Sequence, residues 1–552
     1  MTANSNQKYV IGVDFGTLSG RTVLVCLEDG KEVADSVMNY PYGVMETELP
    51  GGAKLKPGSA LQDPRDYMEV LEWTVRDVVT RSGVDPKDIL GIGVDCTAST
   101  VLPVTEDGTP LCALDRWKDE PHAYLKLWKH HGAQEQATRI EAVARMANRG
   151  SADDWLACYG NQVSAEWAFP KIVEVLEENE DLYNEAAYFV EAGDWVIWNL
   201  TGERKRSSCM MGYKYFWNGD FPDRDFFEAV DPRLSNIVET KLAGEILPTG
   251  SFAGGLTKEA AQRLGMAEGT AVATAIIDAH AALPALGLVG PGKMLMIMGT
   301  STCHIIMDEE EHLVPGISGV VKDGIVPGLY AYEAGQSAVG DIFAWFVENC
   351  APKACHDEAE AREMSIHALM EEKAQALPPG GAGVVALDWW NGNRSILSNT
   401  ELSGAIFGLT LSTKPEEIYR ALLEATAYGA RVIMDTYRSH GVAIDEIYAS
   451  GGIPAKNPLI MQIYADVLNS PIYAATNPPS AGLGSAVFAA VAAGYYESVE
   501  EAARKMARSE KICYQPDPAR AKRYDGLFGI YKKLHDDFGV EQVELMKQLR
   551  YM

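Results

Sequence analysis

The first part of the chain places two apolar runs on either side of a polar turn. The segment YVIGVDFGTLSGRTVLVCL, Tyr9 to Leu27, contains Asp14 and a Gly-Thr-x-Ser-Gly turn between stretches rich in valine, isoleucine and leucine. This pattern predicts a strand–turn–strand hairpin. Farther along, DPRDYMEVLEWTVRDVVTRSG spaces its apolar residues as a helix does and ends at Gly83. The apolar run in VDPKDILGIGVDCTAST then predicts another strand.

The second half of the chain repeats this order of elements. MLMIMGTSTCHIIM predicts a hairpin with its own Gly-Thr turn, KPEEIYRALLEATAYGARVIMDTYRSHG predicts a helix, and VAIDEIYASGGIPAKN follows as a β-rich segment. One supersecondary unit used twice predicts an α/β protein with two similar lobes. The Gly- and Pro-rich segment Gly287–Lys293 marks the predicted boundary, which divides the chain into residues 8–286 and residues 287–552.

Composition and charge narrow the classes of function. With 552 residues, of which 47% are hydrophobic and 23% charged, the chain has material for a large core and for two or more domains. A net charge of -29, spread along the sequence, disfavours binding to nucleic acid and to anionic membrane surfaces. Nine cysteines without a C-x-x-C pair favour a reducing compartment over a disulfide framework or a structural zinc site. We therefore expect a cytoplasmic protein.

Two stretches of the sequence bear on secretion and on membrane insertion. The start, MTANSNQ, has neither a basic nor an apolar region, and AVFAAVAAG is much shorter than a membrane span. Secretion and insertion into a membrane are therefore disfavoured.

The two predicted hairpin turns have the chemistry of an anion site. Glycine lets backbone N–H groups approach a polyphosphate. Hydroxyl groups in both turns add donors, on Thr17, Ser19, Thr300 and Ser301. Asp14, at the end of its strand, supplies the hard carboxylate oxygen that suits Mg²⁺ beside phosphates. The alternative is a pair of plain hairpins with polar turn residues, which is the commoner meaning of either motif alone, but the repetition favours a phosphate clamp.

The sequence does not satisfy two better-known nucleotide-binding motifs. GLVGPGKM, Gly287 to Met294, has most of the P-loop pattern, but Met294 stands where that loop needs Ser or Thr. The next residues, MLMIM, predict a strand, whereas a P-loop must open a helix. No G-x-G-x-x-G follows a predicted strand, so the fingerprint of a Rossmann dehydrogenase is missing.

Taken together, the motifs resemble the FGGY carbohydrate kinases, a family of the sugar kinase, Hsp70 and actin superfamily. GVDFGTLSGR is similar to the family's first phosphate loop, MGTSTC to its second and SGGIPAKNPL to its adenosine-side loop, while GAIFGLTLSTKPEEIYRALLE resembles the longer of its signatures. The resemblance implies two ribonuclease H-like (actin-type ATPase) lobes with the active site in the cleft between them. It also implies ATP and Mg²⁺ as cofactors, and an ATP site made of Gly16, Thr17, Ser19, Gly299, Thr300, Ser301, Gly451, Gly452 and Asn457.

Further segments most resemble the branch of this family that phosphorylates the ketopentose L-ribulose in bacterial L-arabinose breakdown. They are GVDCTAST, LWKHH, SSCMMGYKYFW, DAHAA and YEAGQSAVGD. The resemblance implies a homodimer and a sugar pocket lined by Ala98, Lys214, Asp278 and Glu333, with Asp278 as the general base. Because flexible ketoses often repair one misplaced contact, we also expect activity on D-ribulose and ribitol.

Each predicted pocket residue also has a purely structural interpretation. Asp278 interrupts the apolar run AVATAIIDAHAALPALG, where an unpaired buried carboxylate is costly, but it also fits a helix cap. Lys214 lies among aromatic residues and either enters a pocket or extends from a strand to solvent. Glu333 is otherwise a cap or a surface charge. Ala98 offers only a backbone group or the space beside a small side chain.

Three histidines near these segments raise the question of a transition metal. A lone His280, two residues after Asp278, lacks the further ligands that zinc needs. His130 and His131 lie in YLKLWKHHGAQEQATRIEAVARM, which predicts a helix on which adjacent residues point to different faces. We therefore expect no transition-metal site.

Two other functions stay open at this point. One is an FGGY kinase for a different polyol or ketose, because the pocket residues do not rank epimers that differ at one hydroxyl. The other is a non-enzymatic actin-fold ATPase that responds to a protein partner instead of a sugar. Release of ADP that depends on sugar distinguishes a kinase from this second alternative.

Overall fold

The computed structural model describes residues 7–147, 154–381, 383–477, 480–508 and 510–551. Residues 1–6, which make up almost all of the starting segment MTANSNQ, lie outside these ranges. The chain divides into two compact units. The first comprises Met1–Gly290, Val320–Ala331 and Pro479–Arg508, and the second comprises Pro291–Gly319, Tyr332–Pro478 and Ser509–Met552. The chain thus first leaves the first unit within the Gly- and Pro-rich segment, and it later returns to that unit twice.

The strands, in chain order, are β1 (Tyr9–Phe15), β2 (Ser19–Cys26), β3 (Glu32–Asn39), β4 (Leu61–Gln62), β5 (Ile89–Cys96), β6 (Val101–Val104), β7 (Leu125–Lys126), β8 (Tyr188–Glu191), β9 (Lys205–Ser207), β10 (Glu245–Leu247), β11 (Phe252–Gly255), β12 (Ala271–Ala273), β13 (Ile276–Ile277), β14 (Lys293–Met298), β15 (Thr302–Asp308), β16 (Gly319–Lys322), β17 (Tyr330–Gln336), β18 (Val385–Leu387), β19 (Ala405–Phe407), β20 (Glu446–Ser450), β21 (Ile472–Ala475) and β22 (Lys511–Tyr514).

The α-helices are α1 (Pro64–Ser82), α2 (Gln134–Ala147), α3 (Ala168–Glu178), α4 (Glu180–Glu185), α5 (Ala192–Thr201), α6 (Ser208–Lys214), α7 (Arg224–Val230), α8 (Ile237–Lys241), α9 (Lys258–Leu264), α10 (Asp278–Ala285), α11 (Gly340–Asn349), α12 (Lys353–Ala361), α13 (Ile366–Gln375), α14 (Pro415–Ser439), α15 (Gly452–Lys456), α16 (Pro458–Leu468), α17 (Ala481–Ala492), α18 (Val499–Met506), α19 (Pro518–Asp536) and α20 (Val543–Tyr551).

Each unit contains a mixed sheet with an equivalent order of strands. In the first sheet the order is β3, β2, β1, β5, β12 and β11, with β13 also paired to β5, and in the second sheet it is β16, β17, β15, β14, β20, β21 and β22. In the first unit, β1 pairs antiparallel with its hairpin partner β2 and parallel with β5. In the second, β14 pairs antiparallel with β15 and parallel with β20. The predicted repeat and the predicted α/β units are confirmed.

The two long predicted helices form because capping and apolar spacing agree. In α1, the Asp63 side chain accepts a hydrogen bond from the Arg65 N–H, Pro64 occupies the first turn, and Gly83 ends the helix at a φ of 69°. Its buried face packs on β2 and β3. In α14, Glu417 accepts a hydrogen bond from the Lys414 N–H, and the helix packs against α13, α16 and β18. Both helices place their apolar stripe on a neighbouring layer.

Helix α17 packs directly against the backbone of the first unit's sheet. It contacts β1 and β5, where glycine replaces a side chain on each strand. A Cβ added to Gly12 would lie 1.7 Å from the carbonyl oxygen of Gly482, and one added to Gly93 would lie 2.1 Å from that of Ser485. This helix contains all but the last two residues of the AVFAAVAAG stretch. Within the described part of the chain, no helix combines the length and the apolar character needed to cross a bilayer.

We predict that Gly12→Ala destabilises the fold strongly, because its methyl group would overlap the backbone of α17. Overpacking typically costs about 1–3 kcal/mol, and the upper end of that range applies where backbone faces backbone. Chemical and thermal unfolding, followed by circular dichroism, measure the loss. Gly290→Ala is the matched control, because its added Cβ meets nothing within 4 Å. Equal midpoints for the two variants would contradict this account of the α17 packing.

Candidate functional site

The turn between β1 and β2 is held from two sides. Its own backbone closes it, with the Gly16 N–H donating to the Ser19 carbonyl oxygen at 3.0 Å. The carbonyl oxygen of Thr17 accepts from Gln62 Nε2 at 2.9 Å, and Thr17 Oγ1 accepts from Trp128 Nε1 at 3.2 Å. Gly16, Thr17 and Ser19 are each half-buried. The predicted first phosphate loop is therefore a rigid turn whose members remain partly accessible.

Three carboxyl groups gather at the ends of neighbouring strands in the first unit. Asp14 on β1 lies directly opposite Asp95 on β5 in the parallel register, so their side chains leave the same face of the sheet. Strand β13 also pairs with β5, placing Ile277 opposite Cys96, and Asp278 follows as the first residue of α10. Asp278 is half-buried, and its Oδ1 accepts from the Ala279 N–H at 2.7 Å. The residue before it, Ile277, occupies the helix N-cap position.

Burial shifts the pKa values of the carboxyl groups in this cluster. Loss of solvent raises the pKa of Asp14, which the positive charge of Arg21 opposes. Burial raises the pKa of Asp95 well above its usual range, and the negative charges of Asp14 and Asp278 raise it further. Asp95 Oδ2 accepts a hydrogen bond from Ser485 Oγ at 2.5 Å. A raised pKa favours the neutral form of Asp95, which reduces the like-charge repulsion with the carboxyl group that lies beside it.

The first unit also contains Ala98 and Lys214. Ala98 is the half-buried member of a turn whose other residues, Thr97, Ser99 and Thr100, are buried. Lys214 is the last residue of α6 and is 8% exposed. The alternative in which it extends from a strand to solvent is therefore wrong, since the segment is helical and its lysine is buried.

Helix α6, which ends at Lys214, packs against α10, which begins at Asp278. Cys209 Sγ lies 3.2 Å from His280 Nδ1, and the rings of Tyr213 and His280 are 4.5 Å apart. These buried contacts link the two helices within one unit. They bring the elements that carry Lys214 and Asp278 side by side.

The predicted second phosphate loop lies in the second unit. Its turn is closed by the Gly299 N–H, which donates to the Ser301 carbonyl oxygen at 2.8 Å. The start of α11 holds it from outside, since the Val339 N–H donates to the Thr300 carbonyl oxygen at 2.7 Å and the Gly340 N–H to that of Gly299 at 3.0 Å. Thr300 is exposed and Ser301 half-buried. The exposed hydroxyl of Thr300 is thus available to a ligand.

The glycine loop after β20 lies against this turn. Gly451 has a φ of 109°, and a Cβ there would lie 2.4 Å from the carbonyl oxygen of Met298, the residue just before the turn. Only glycine fits this contact and this conformation. Gly452 is exposed and begins α15. The second unit therefore brings the predicted phosphate turn and the predicted adenosine-side loop together.

A cavity of about 880 Å³ opens beside Asn457 in the second unit. Asn457 Oδ1 accepts from the Ile460 N–H at 3.0 Å, and Asn457 Nδ2 donates to Glu371 Oε1 at 2.6 Å. Burial raises the pKa of Glu371 to about 7. Both residues line the cavity, together with Ala368, Leu377, Arg420 and Tyr514. This is a concave space bordered by the first residues of α16, of a size that accepts a small organic ligand.

Glu333 is half-buried on β17, and its backbone carbonyl oxygen accepts from the Ser318 N–H at 2.7 Å. It belongs to the second unit, whereas Ala98, Lys214 and Asp278 belong to the first. The grouping of these four residues around one sugar thus stays a prediction.

The helix predicted around His130 and His131 is wrong. Leu125–Lys126 form a strand there, and the helix begins only at Gln134. His130 is instead buried in an ionic cluster, with its Nε2 atom 2.9 Å from Glu174 Oε2, which also lies 2.8 Å from Lys126 Nζ. Burial lowers the pKa of His130 to about 4. Among the described residues, no group of three or more His, Cys, Asp or Glu side chains is arranged to hold a metal ion.

Sequence reasoning missed Asp95 and its partner Ser485. A signal for Asp95 was present, because it interrupts the apolar run ILGIGVDC just as Asp278 interrupts its own. Ser485 gave no signal, since it is a small residue in a small-residue helix, 390 residues away from Asp95 in the chain. Glu371, which holds Asn457, was also missed for lack of any local pattern.

Comparisons with known proteins agree with this arrangement. Models of the FGGY family of carbohydrate kinases match the chain twice, the N-terminal domain at residues 9–285 and the C-terminal domain at residues 294–493. A protein named ribulokinase from Halalkalibacterium halodurans is 51% identical over 550 residues, covering 98% of this chain and 97% of that protein. Another ribulokinase, from Mycolicibacterium smegmatis, is 45% identical over 555 residues, covering 100% and 98%.

Solved structures show the same fold. The xylulose kinase from Rhodospirillum rubrum has a TM-score of 0.77 at 25% identity, covering 96% of this chain and 99% of that one. The ligand-bound xylulose kinase from Lactobacillus acidophilus has a TM-score of 0.79 at 18% identity, covering 98% and 100%. Both domain models, the relatives and the folds agree over nearly the whole length. The chain therefore belongs to the FGGY family of carbohydrate kinases.

Proposed function

We propose that this protein transfers the γ-phosphoryl group of ATP to a primary hydroxyl of L-ribulose, giving L-ribulose 5-phosphate and ADP. The observation that carries the proposal is the 51% identity to a ribulokinase over 98% of this chain. The carboxyl cluster of Asp14, Asp95 and Asp278 supports it, because phosphoryl transfer needs a base and a cation-binding oxygen close together. The proposed acceptor class is therefore a ketopentose.

Asp278 is the proposed general base. It is half-buried at the first turn of α10, beside the strand ends that carry Asp14 and Asp95. As the sugar hydroxyl attacks the γ-phosphorus, Asp278 accepts its proton while the bond from that phosphorus to the ADP oxygen breaks. Ala98, Lys214 and Glu333 are the proposed partners of the other sugar hydroxyls.

The two rigid turns are the proposed phosphate clamp. Gly16, Thr17 and Ser19 would contact the nucleotide from the first unit, and Gly299, Thr300 and Ser301 from the second. Gly451, Gly452 and Asn457 would border the adenosine. Backbone N–H groups and hydroxyls in such turns neutralise phosphate charge without moving when the reaction occurs.

The donor set of the first unit fits Mg²⁺. A magnesium ion bound to ATP takes most of its ligands from phosphates and water and needs only one or two carboxylates from the protein. Asp14 is half-buried at a strand end beside the first turn and would hold the ion, directly or through water. When bound, Mg²⁺ neutralises phosphate charge during transfer.

We also propose a compartment and an oligomeric state for the protein. An ATP-consuming kinase with nine free cysteines fits the cytoplasm, since thiols stay reduced there. We also propose a homodimer, as the family resemblance implies.

An FGGY kinase acting on another polyol or ketose is the alternative function, supported by the likeness in fold to xylulose kinases.

A substrate panel tests the proposed acceptor. We expect L-ribulose to stimulate ADP release, with measurable activity on D-ribulose, because the contacts of a flexible ketose tolerate inverted hydroxyls. We also expect measurable activity on the open-chain polyol ribitol. A coupled assay for ADP gives kcat/KM for each compound. If no pentulose or polyol stimulates ADP release, the kinase proposal fails. If only L-ribulose reacts, by several orders of magnitude, the expected breadth is wrong.

Replacing Thr17 or Thr300 with Val should weaken ATP binding by about tenfold, because each change removes a hydroxyl that donates to a charged phosphate. Sugar binding should be nearly unchanged. Isothermal titration calorimetry with ATP and with sugar measures both. Thr138→Val, at an exposed position of α2, is the control. Unchanged ATP affinity in both turn variants would rule out the clamp.

Asp278→Asn should lower kcat by about 10²–10⁴-fold, which is the usual contribution of a general base. Sugar affinity should fall only modestly, since the amide still accepts from a hydroxyl but does not take its proton. Single-turnover phosphoryl transfer and sugar binding are measured on the same sample. Asp225→Asn, exposed on α7, is the control. Near-normal transfer would remove Asp278 from the mechanism, and a collapsed melting temperature would favour its structural role.

A further inference from the structure

A fully buried lysine holds the turn that carries Ala98. Lys171 on α3 is 0% exposed. Its Nζ atom donates to the carbonyl oxygen of Ser99 at 2.6 Å and to that of Leu127 at 2.9 Å, and a third carbonyl, of Lys126, lies at 3.5 Å. An ammonium group has three donors and no acceptor. Here every proton is directed at backbone, so the lysine joins two loops instead of pairing with one side chain.

The turn that Lys171 holds has an unfavourable backbone conformation. Ser99 has a φ of 53°, in the left-handed region that residues other than glycine seldom adopt. Such a conformation persists only when the surroundings enforce it. Local bonds contribute, since Thr97 Oγ1 and Thr100 Oγ1 are 2.9 Å apart and Thr100 Oγ1 donates to the Thr97 carbonyl oxygen at 3.1 Å. The charge-assisted bond from Lys171 acts on the strained residue itself.

Glu191 fixes the other end of the turn. It is the last residue of β8 and is 0% exposed. Its Oε2 atom accepts from the Thr100 N–H at 2.9 Å, and the Ala192 N–H donates to the Thr100 carbonyl oxygen at 2.9 Å. The start of the turn is held by the Thr97 N–H, which donates to the carbonyl oxygen of Phe15 at 3.2 Å. The turn is thus connected to β1, to α3 and to β8.

The charges of Lys171 and Glu191 each shift the pKa of the other residue. Burial lowers the pKa of Lys171 to about 7, and the charge of Glu191 opposes this shift. Burial likewise raises the pKa of Glu191 to about 7, opposed by the charge of Lys171. Two isolated charges in such a place would cost several kcal/mol each.

We propose that Lys171 is a positioning residue for the acceptor sugar, which with Glu191 fixes the Thr97–Thr100 turn in the conformation that presents Ala98. The inference rests on the proposed function, in which Ala98 lines the sugar pocket. Lys171 itself does not reach the sugar, because its three protons are directed at backbone carbonyls. Its effect on the reaction passes through the backbone of Ser99.

The central test compares Lys171→Met with Lys241→Met. Lys241 is a close match, because its Nζ atom also donates to backbone carbonyls, those of Tyr183 at 3.0 Å and Asn184 at 3.4 Å, in a different loop of the same unit. Hydrogen exchange, followed by NMR or mass spectrometry on the ligand-free protein, reports on the amides of Thr97 and Thr100. We expect Lys171→Met to accelerate their exchange by at least about tenfold, the equivalent of one charge-assisted hydrogen bond, and Lys241→Met to leave it unchanged.

Steady-state kinetics give the second readout. In Lys171→Met we expect the KM for the sugar to rise by about tenfold or more while the KM for ATP stays within about twofold, because only the sugar-side turn is released. A general loss of structure would change both constants together. Lys241→Met should change neither.

Glu191→Gln distinguishes anchoring from charge balance. Glutamine keeps an acceptor for the Thr100 N–H but removes the negative charge, so the double variant Lys171→Met/Glu191→Gln buries neither the ammonium of Lys171 nor the carboxylate of Glu191. We expect the double variant to recover melting temperature relative to Lys171→Met while the fast exchange and the raised sugar KM persist. Recovery of exchange and KM as well would overturn the proposal, since Lys171 would then act only by neutralising Glu191.

Failure of this inference is distinguishable from failure of the proposed function. Unchanged exchange at Thr97 and Thr100 in Lys171→Met overturns the anchoring, whatever the protein phosphorylates. If the unmodified protein has no activity on the substrate panel, the proposed function fails, and with it the role of the turn toward a sugar. Fast exchange with an unchanged sugar KM would also overturn the positioning role.

Discussion

The rest of the first unit depends on the contact between one helix and two glycine-bearing strands. Because β1 and β5 have no side chain at Gly12 and Gly93, α17 lies directly on the sheet backbone. That approach brings Ser485 within 2.5 Å of Asp95, and the parallel register aligns Asp95 with Asp14. The pairing of β1 with β5 sets the spacing of these two carboxyl groups, and the close approach of α17 supplies the hydroxyl group that hydrogen-bonds to Asp95.

Two arrangements reduce the free-energy cost of burying ionisable groups around this sheet. Burial raises the pKa of Asp95, which favours its neutral form, whereas Lys171 and Glu191 are stabilised by each other's charge and by bonds to backbone groups. Both solutions avoid an unpaired charge in a region of low polarity. They also account for how a chain with a net charge of -29 buries so many acidic side chains without losing the fold.

Local patterns in the sequence were sufficient for the hairpins, for α1 and α14, and for the repeat that relates the two sheets. Each of these elements is specified by residues that are neighbours in the chain. Family resemblance supplied the sugar-side residues, which no periodicity could indicate. The helix predicted around His130 and the strand considered as the alternative for Lys214 were both wrong because tertiary packing decided these conformations. Lys214 is buried at the end of α6, and His130 lies in an ionic cluster with Glu174 and Lys126.

Asp95, Lys171 and Glu191 show what local patterns do not contain. Their roles come from partners far away in the chain, Ser485 for Asp95, Ser99 for Lys171 and Thr100 for Glu191. A charged residue inside an apolar run signals that a partner exists, but the run does not say which residue it is.

The position of α17 in the chain has a consequence for biosynthesis. Asp95 and Ser485 are separated by 390 residues, so a ribosome adding about 5–20 residues per second finishes β5 roughly 20–80 s before it makes the helix that covers it. During that interval the glycine-bearing face of β1 and β5 has no cover, and most of the second unit is synthesised first. Productive folding of the nascent chain therefore requires that this apolar face be shielded until the last part of the polypeptide emerges.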